Sequence, residues 1–379
     1  CNDRTMAAAT IDDAPGKRPR QGDGPGDGYF ESYSYVGIHE EMLKCRRTDA
    51  YLKAIEHLAP HLAGKAVLDV GCGTGILAIA CAKAGARVVY AVEASEMATH
   101  AAQIVSSNGW APTVKVLHGR MEEVELPEQV DVIVSEWMGI FLLYEAMLDS
   151  VLIARDRWLR PGGLLIPRRA RLWLCPLRDD GFRAERLDFW SDVHGIDMTC
   201  LRALAKAELC RKPRIEEVPP ELLAASPACI ADLDLATVQP AALKTVQSDV
   251  DFTSHVRASL LGFVSYFDVE LADGEWLSTA PEEGPTHWQQ VSFWWDTPLD
   301  ISQGETLQTH VSAAQNVANP RCLDIRISCK LAARHPPGSV TQSGRDPASP
   351  SGLSSLASHA LAPSHPTRLE KTFALDTLC

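Results

Sequence analysis

The chain has no CxxC pair. Its eleven cysteines stand singly, at positions 1, 45, 72, 81, 175, 200, 210, 229, 322, 329 and 379. Isolated thiols in odd number argue against a zinc ribbon or a disulfide framework and point to a reducing compartment. Long apolar runs are missing too. None approaches the roughly 18–20 residues that a membrane helix needs. The N-terminus lacks the apolar stretch of a secretory signal. Positive charge is in deficit: Lys+Arg 36 against Asp+Glu 49 gives −13. That disfavours sequence-independent binding to nucleic acid phosphates and suits a cationic partner. No internal repeat is visible. The remainder is ordinary for a globular protein, with 46% hydrophobic and 22% charged residues. A length of 379 residues suggests two or three domains with a sizeable core. The first methionine is Met6, so residues 1–5 are expected to lie outside the natural product.

Residues 1–27 are rich in Asp, Gly, Pro and Ala without hydrophobic period and read as a disordered tail. Lys17-Arg18-Pro19-Arg20 within it reads either as a solvated basic patch or as an import signal. Residues 38–58 read as helical, within an N-terminal helical segment 28–58. A strand–helix alternation follows over 59–166: Ala66–Val70, helix 76–84, Arg87–Val92, helix 98–108, Val114–Leu117, Val130–Val134 and helix 148–159. Arg160-Pro161-Gly162-Gly163 then interrupts before Leu164. Such alternation predicts a parallel α/β sheet with right-handed crossovers. After Pro167 the pattern turns mostly β, with strands at Arg171–Cys175, Ala258–Glu270, Trp288–Trp295 and Cys322–Leu331. This predicts a barrel-like or sandwich-like domain over 167–331. Residues 332–368 are Ser/Pro/Ala/His-rich and read as a disordered insertion. Residues 369–379 are expected to return as a strand or tail.

Asp69-Val70-Gly71-Cys72-Gly73-Thr74-Gly75 joins a strand to a helix. Glycines there let a ligand approach the backbone and expose free N–H groups at a helix start. The strict dinucleotide pattern GxGxxG fails, because Ile76 replaces the third glycine. The looser GxGxxA fits Gly73, Gly75 and Ala78, which keeps a nicotinamide dehydrogenase open. The acidic residues tilt the choice. A carboxylate at Asp69 suits an ammonium or sulfonium better than a pyrophosphate. Glu93, ending the second strand, can accept both ribose hydroxyls. Glu122, after the third, can accept from an adenine amino group. Singly, these read equally as a tight turn and two loop charges. Together they imply an adenosine without phosphates, and S-adenosylmethionine fits.

Glu136 and Glu145 follow the fourth strand. At roughly 100° per residue, a nine-residue spacing on a continuous helix would set them on opposite sides. They converge only if the chain turns between them, and Gly139 can supply the turn. Two carboxylates facing one site suit a guanidinium, which is always charged and presents a fork of donors. The bland alternative is a helix-start charge and a satisfied loop residue.

Ser135-Glu136-Trp137-Met138-Gly139 with Glu145 resembles the "double-E" loop of the protein arginine methyltransferases. The resemblance runs from Tyr29 to about Leu331. It includes Tyr29-Phe30-Glu31-Ser32-Tyr33, His39-Glu40-Glu41-Met42-Leu43, the cofactor loop from Val67 to Ile76, and Thr286-His287-Trp288. Phe189-Trp190 with Asp197-Met198-Thr199-Cys200, near 180–205, resembles the family's helical dimerisation arm. Arg47-Thr48-Asp49-Ala50-Tyr51, Ala91–Ser95 and Glu125–Asp131 look most like the branch numbered six, which is nuclear, type I and modifies histone tails.

The resemblance implies a Rossmann-like S-adenosylmethionine-dependent methyltransferase domain followed by a β-barrel domain, in a homodimer. It implies that His39, Met42, Arg47, Asp69, Gly71, Gly73, Glu93, Met121 and Glu122 hold the cofactor. Arg47 would meet its carboxylate. Glu136 and Glu145 would grip an arginine of a basic, arginine-rich protein segment such as a core histone tail. His287 would border the site. Met42 and Met147 would leave room for a second methyl on one nitrogen, consistent with asymmetric dimethylation. Neither nucleic acid nor membrane is implied as a partner.

Three departures stand out. One residue fewer separates Met42 from Arg47, so either Arg46 or Arg47 is a candidate for the cofactor's carboxylate. The acidic partner of His287 is replaced near Lys44 and Cys45. Ile140 stands where the family has tyrosine. These departures raise the alternative of a relative that binds the cofactor or basic proteins without efficient turnover.

Overall fold

The computed structural model describes residues 30, 32–178, 181–332 and 368–376. The N-terminal tail with its basic cluster and nearly all of the Ser/Pro-rich 332–368 stretch lie outside these residues. Among the described residues no helix is long and apolar enough to cross a membrane.

The first half begins with α1 (Val36–Lys44) and α2 (Arg46–His57). The expected continuous helix over 38–58 is therefore two. Cys45 is extended (φ −94°, ψ 161°), and Thr48 Oγ1 donates to Met42 O at 2.7 Å across the break. A hydroxyl that takes a main-chain acceptor competes with helix continuation. Next come β1 (Ala66–Val70), α3 (Ile76–Lys83), β2 (Val88–Glu93), α4 (Met97–Ser107), β3 (Val114–His118), β4 (Val130–Val134), α5 (Met147–Trp158) and β5 (Leu159–Ile166). The strands form one parallel sheet in the order β3-β2-β1-β4-β5. All five residues of β1 are buried, as its unbroken apolar run predicts for a strand covered on both faces. Leu159 belongs to β5 and not to the helix. Arg160–Gly163, read as a break, are part of that strand. Pro161 is tolerated because β5 is the edge strand.

The second half contains β6 (Arg169–Arg178), β7 (Arg214–Glu216), β8 (Ala228–Asp234), β9 (Thr245–Thr253), β10 (Ala258–Ala272), β11 (Glu275–Ser278), β12 (Gln290–Ile301), β13 (Thr306–Gln315), β14 (Leu323–Leu331) and β15 (Arg368–Leu375). Two antiparallel sheets result, β7-β12-β10-β6-β8 with β11 on β10, and β15-β14-β13-β9. Their inner faces meet through Phe252 against Phe263 (centroids 5.9 Å) and Phe293 against Phe373 (5.1 Å). Strands β7, β8, β9, β11 and β13 carry no clear apolar run. In β9, Val246 and Phe252 are buried while Gln247, Asp249 and Asp251 face solvent. A sheet covered on one face needs only this sparse alternation. The terminal strand does return, pairing with β14 from Arg368 to Leu375.

Between β6 and β7 an arm projects, with α6 (Phe182–Arg186) and α7 (Arg202–Arg211) joined through short 3-10 turns. Phe189, Ile196, Leu201 and Leu204 are exposed on it.

Candidate active site

One cleft opens at the carboxyl ends of the parallel strands, the place where open α/β sheets bind ligands. It encloses about 1100 Å³, counting the part open to solvent. His39, Met42, Arg47, Gly71, Gly73, Glu93, Met121, Glu122, Glu136 and Glu145 all line it, with Met147 beside them.

The turn after β1 supplies the floor. Gly71 and Gly73 have φ of 71° and 53°, which favour glycine. A Cβ at Gly71 would lie 2.2 Å from Met147 Cε, and one at Gly73 3.2 Å from His39 Cε1. Glu93 Oε2 accepts from the Gly73 amide at 2.8 Å, and Oε1 from the Ser95 amide at 2.8 Å. Glu122 accepts from Ser150 Oγ at 2.6 Å. Asp69 does not line the cleft. Its side chain is buried, and neither oxygen has a hydrogen-bond partner among the described residues. Burial raises its pKa to about 7, with the nearby Ala78 amide pulling the other way and Glu93 adding to the rise.

This floor fits S-adenosylmethionine. A pyrophosphate would face the carboxylate of Glu93, with that of Asp69 buried behind the turn. An uncharged ribose and a cationic sulfonium or ammonium match them. Arg47 lines the same cleft, as do Arg120 and Arg321, and can meet a carboxylate. Arg46 turns away to Glu283 on the far loop, to its carbonyl and to its carboxylate at 3.2 Å. Of the two candidate arginines, Arg47 is the one that faces the cleft.

The loop after β4 brings the two glutamates together. Gly139 N–H donates to Leu142 O at 3.0 Å, and the chain doubles back there. A Cβ at Gly139 would lie 2.0 Å from Tyr144 O, so only glycine permits the close approach. Ser135 Oγ donates to Val70 O (2.7 Å), Tyr51 Oη to Ser135 O (2.9 Å) and Trp288 Nε1 to Met138 O (2.8 Å). These bonds fix the loop to β1, to α2 and to the β half. Glu136 is hydrogen-bonded to Arg47 Nη1, which also reaches Met42 Sδ at 3.1 Å. Burial raises the Glu136 pKa; Arg47 opposes that rise without cancelling it. Tyr33 Oη donates to Glu145 Oε2 at 2.7 Å.

His287 is not in the cleft wall. It packs on Trp288 (centroids 4.0 Å), and its Nδ1 faces Cys45 Sγ at 3.7 Å. Among the described residues no carboxylate is bonded to it. Burial, with Arg47 nearby, lowers its pKa to about 3, so it is neutral at physiological pH. Ile140 is partly buried against the core. Tyr33, Arg120, Ser150 and Arg321 line or serve the cleft without having been assigned a role from sequence. Tyr33 lies 112 residues from its partner and Arg321 176 from its own, so no spacing rule could pair them.

Comparison with known proteins decides the family. The profile described as "Arginine methyltransferase oligomerization subdomain" matches residues 168–334, and that of "Ribosomal protein L11 methyltransferase (PrmA)" matches 46–155. The chain is 43% identical over 332 residues to the probable protein arginine N-methyltransferase 6.1 of Oryza sativa subsp. indica, covering 80% of this chain and 88% of that protein. The chain belongs to the protein arginine N-methyltransferase family. It is also 40% identical over 311 residues to protein arginine N-methyltransferase 1 of Dictyostelium discoideum, covering 81% and 90%. The Trypanosoma brucei PRMT1 enzyme–prozyme heterotetrameric complex with AdoHcy superposes with a TM-score of 0.75 at 33% identity, covering 91% of this chain and 100% of that one. The dehydrogenase alternative, which rested on Gly73, Gly75 and Ala78 alone, is set aside by these matches.

Proposed function

We propose that this arginine methyltransferase acts on arginine-rich protein segments such as core histone tails and forms monomethyl- and asymmetric dimethylarginine, as a type I enzyme. The observation that carries the reading is that Glu136 and Glu145 line one cleft together with Arg47, Met42 and Met147. S-adenosylmethionine is the donor and supplies an electrophilic methyl on a sulfonium. His39, Met42, Arg47, Gly71, Gly73, Glu93, Met121 and Glu122 hold it, with Asp69 behind the turn.

The chemistry asked of this chain follows from the acceptor. A guanidinium is a poor nucleophile because its lone pairs are delocalised. Glu136 and Glu145 accept hydrogen bonds from its other N–H groups and bias electron density toward the free nitrogen. Fixing that nitrogen in place is the larger contribution, up to roughly 7–11 kcal/mol in favourable cases. Two carboxylates together would raise each other's pKa; a guanidinium between them opposes that rise, as Arg47 does on Glu136. The proton released afterwards goes to the Glu136 carboxylate, whose affinity for it burial has raised. His287, neutral and packed on Trp288, positions rather than titrates. The unbranched Met42 and Met147 leave space for a second methyl.

The exposed apolar side chains of the arm support a homodimer, and the basic cluster at Lys17–Arg20 supports nuclear import. Sedimentation of wild type against Phe189→Ser, and a reporter fused to residues 1–27, test these two points.

Incubation with methyl-labelled S-adenosylmethionine, core histones and an Arg/Gly-rich peptide tests the activity by mass spectrometry. Asymmetric dimethylarginine is expected with wild type and is lost in Glu136→Gln. A folded protein that binds the cofactor and transfers nothing would leave the non-catalytic alternative, with Cys45 and Ile140 responsible.

A further inference from the structure

Glu145 sits in a backbone conformation that side chains rarely adopt, with φ 78°, followed by Ala146 at 57° and preceded by Phe141 at 53° and Leu142 at 61°. Such residues persist only where the surroundings hold them. What holds Glu145 comes from the far end of the chain. Its N–H donates to Arg321 O at 2.8 Å, and Arg321 Nη1 donates back to Glu145 O at 2.7 Å.

Arg321 is itself fixed. It lies between β13 and β14, where Asn319 Oδ1 accepts from the Arg321 amide at 3.1 Å. Asn316 Oδ1 accepts from Ala318 and Asn319 amides at 2.9 and 3.1 Å, and Asn316 Nδ2 donates to Asp324 at 3.0 Å. The Arg321 guanidinium lies 5.1 Å from the Phe30 ring centroid, and that of Arg120 lies 5.4 Å from the same ring. Phe30 stands three residues before Tyr33, the residue that donates to the Glu145 carboxylate. Arg321 therefore holds the main chain of Glu145 directly. Through Phe30 it also holds the segment that carries the partner of its side chain.

We infer that Arg321 is a positioning residue for methyl transfer, setting where the Glu145 carboxylate points. The inference rests on the reading of Glu145 as a carboxylate that grips the acceptor arginine. A displacement of about 1 Å at such a group can cost ~100-fold in rate.

The test is a double-mutant cycle on the full chain: Arg321→Ala, Glu145→Gln and both together, with Arg321→Lys and Phe30→Leu alongside. The readouts are kcat and KM for an Arg/Gly-rich peptide, Kd for S-adenosylhomocysteine, and melting temperature. Arg321→Ala is expected to lower kcat/KM for the peptide by ~10–100-fold while Kd for the nucleoside moves less than about threefold. In the Glu145→Gln background the same change is expected to cost less than about threefold, because coupled residues do not add. Arg321→Lys, which keeps a cation over Phe30 and a donor, recovers part of the loss, and Phe30→Leu shows a smaller loss of the same kind. An equal loss in both backgrounds, or a loss explained by a lowered melting temperature shared by Arg321→Lys, overturns the inference. Inactive Glu145→Gln with fully active Arg321→Ala overturns it while sparing the role of Glu145. Active Glu145→Gln removes that role, and the inference with it.

Discussion

The floor and the roof of the cleft are built in different ways. The floor is local. Asp69, Gly71, Gly73 and Glu93 come from β1, β2 and the turn between β1 and α3, within 25 residues. Its contacts are main-chain amides to a carboxylate, and Gly71 and Gly73 hold positive φ where a Cβ would crowd Met147 or His39. The roof is assembled from afar. Glu136 leans on Arg47, Glu145 on Tyr33 and Arg321, and the loop that carries them on Trp288. A floor of this kind tolerates little change at any position. A roof joined from five distant segments can exchange one partner at a time, and Cys45, Ile140 and Arg47, where the sequence reading expects departures from the family, all lie at or beside it.

The largest expected effect separates the two directly. Glu136→Gln should lower kcat by ~100–1,000-fold, the range seen when one polar group aimed at the reacting centre is removed, with cofactor Kd nearly unchanged. Glu93→Ala should do the reverse and weaken cofactor Kd by ~10–100-fold, as for loss of one to two hydrogen bonds to a charged group. Calorimetry and steady-state kinetics on both variants decide this. Equal effects on both parameters in either protein would dissolve the distinction.

Asp69 gives a sharper test of the floor. Its pKa rises from 3.8 to about 7 in the folded chain. Between those values the native state binds more protons than the unfolded state, so stability falls as pH rises through the window. Above about 7 the buried carboxylate remains as a cost. Asp69→Asn is expected to raise the melting temperature by ~2–8 °C at pH 8, with the gain fading towards pH 4. Cofactor affinity should fall in the same variant. A melting temperature unchanged at pH 8 would mean that the carboxylate is compensated by a partner.

The smallest effect concerns the roof. Burial holds His287 near a pKa of 3, so the wild-type pH–rate profile should show no limb from it above pH 5. Cys45→Asp places a carboxylate where Sγ faces Nδ1. An opposite charge favours the protonated ring and raises its pKa. An acidic limb should then appear between pH 5 and 8, while the rate at pH 9 changes less than about threefold. An unchanged profile would show that burial outweighs the new charge.

Legibility followed the same division. Strands β1 and β2 were readable as short, largely apolar runs between turn signals, whereas the start of β5 was not, because Arg160-Pro161-Gly162-Gly163 carries the residues of a turn. Strands β9 and β13 were not, because one solvated face leaves too few apolar residues to mark them. The glycine turn, Glu93 and the need for a turn at Gly139 could be reasoned from spacing. The break at Cys45 could not, since it depends on Thr48 taking the Met42 carbonyl and on α2 packing by its own face.

The sequence by itself determined the strand–helix alternation of the first half, the acidic glycine turn that suits a phosphate-free nucleoside and the need for a turn if Glu136 and Glu145 are to converge, because these rest on neighbours in the chain and on residue chemistry. Tertiary structure decided which arginine faces the cleft, that Asp69 lies behind it, that His287 meets a thiol, and that Arg321 holds Glu145. Each of those depends on contacts between segments 89 to 242 residues apart or on burial, and neither leaves a local mark in a sequence.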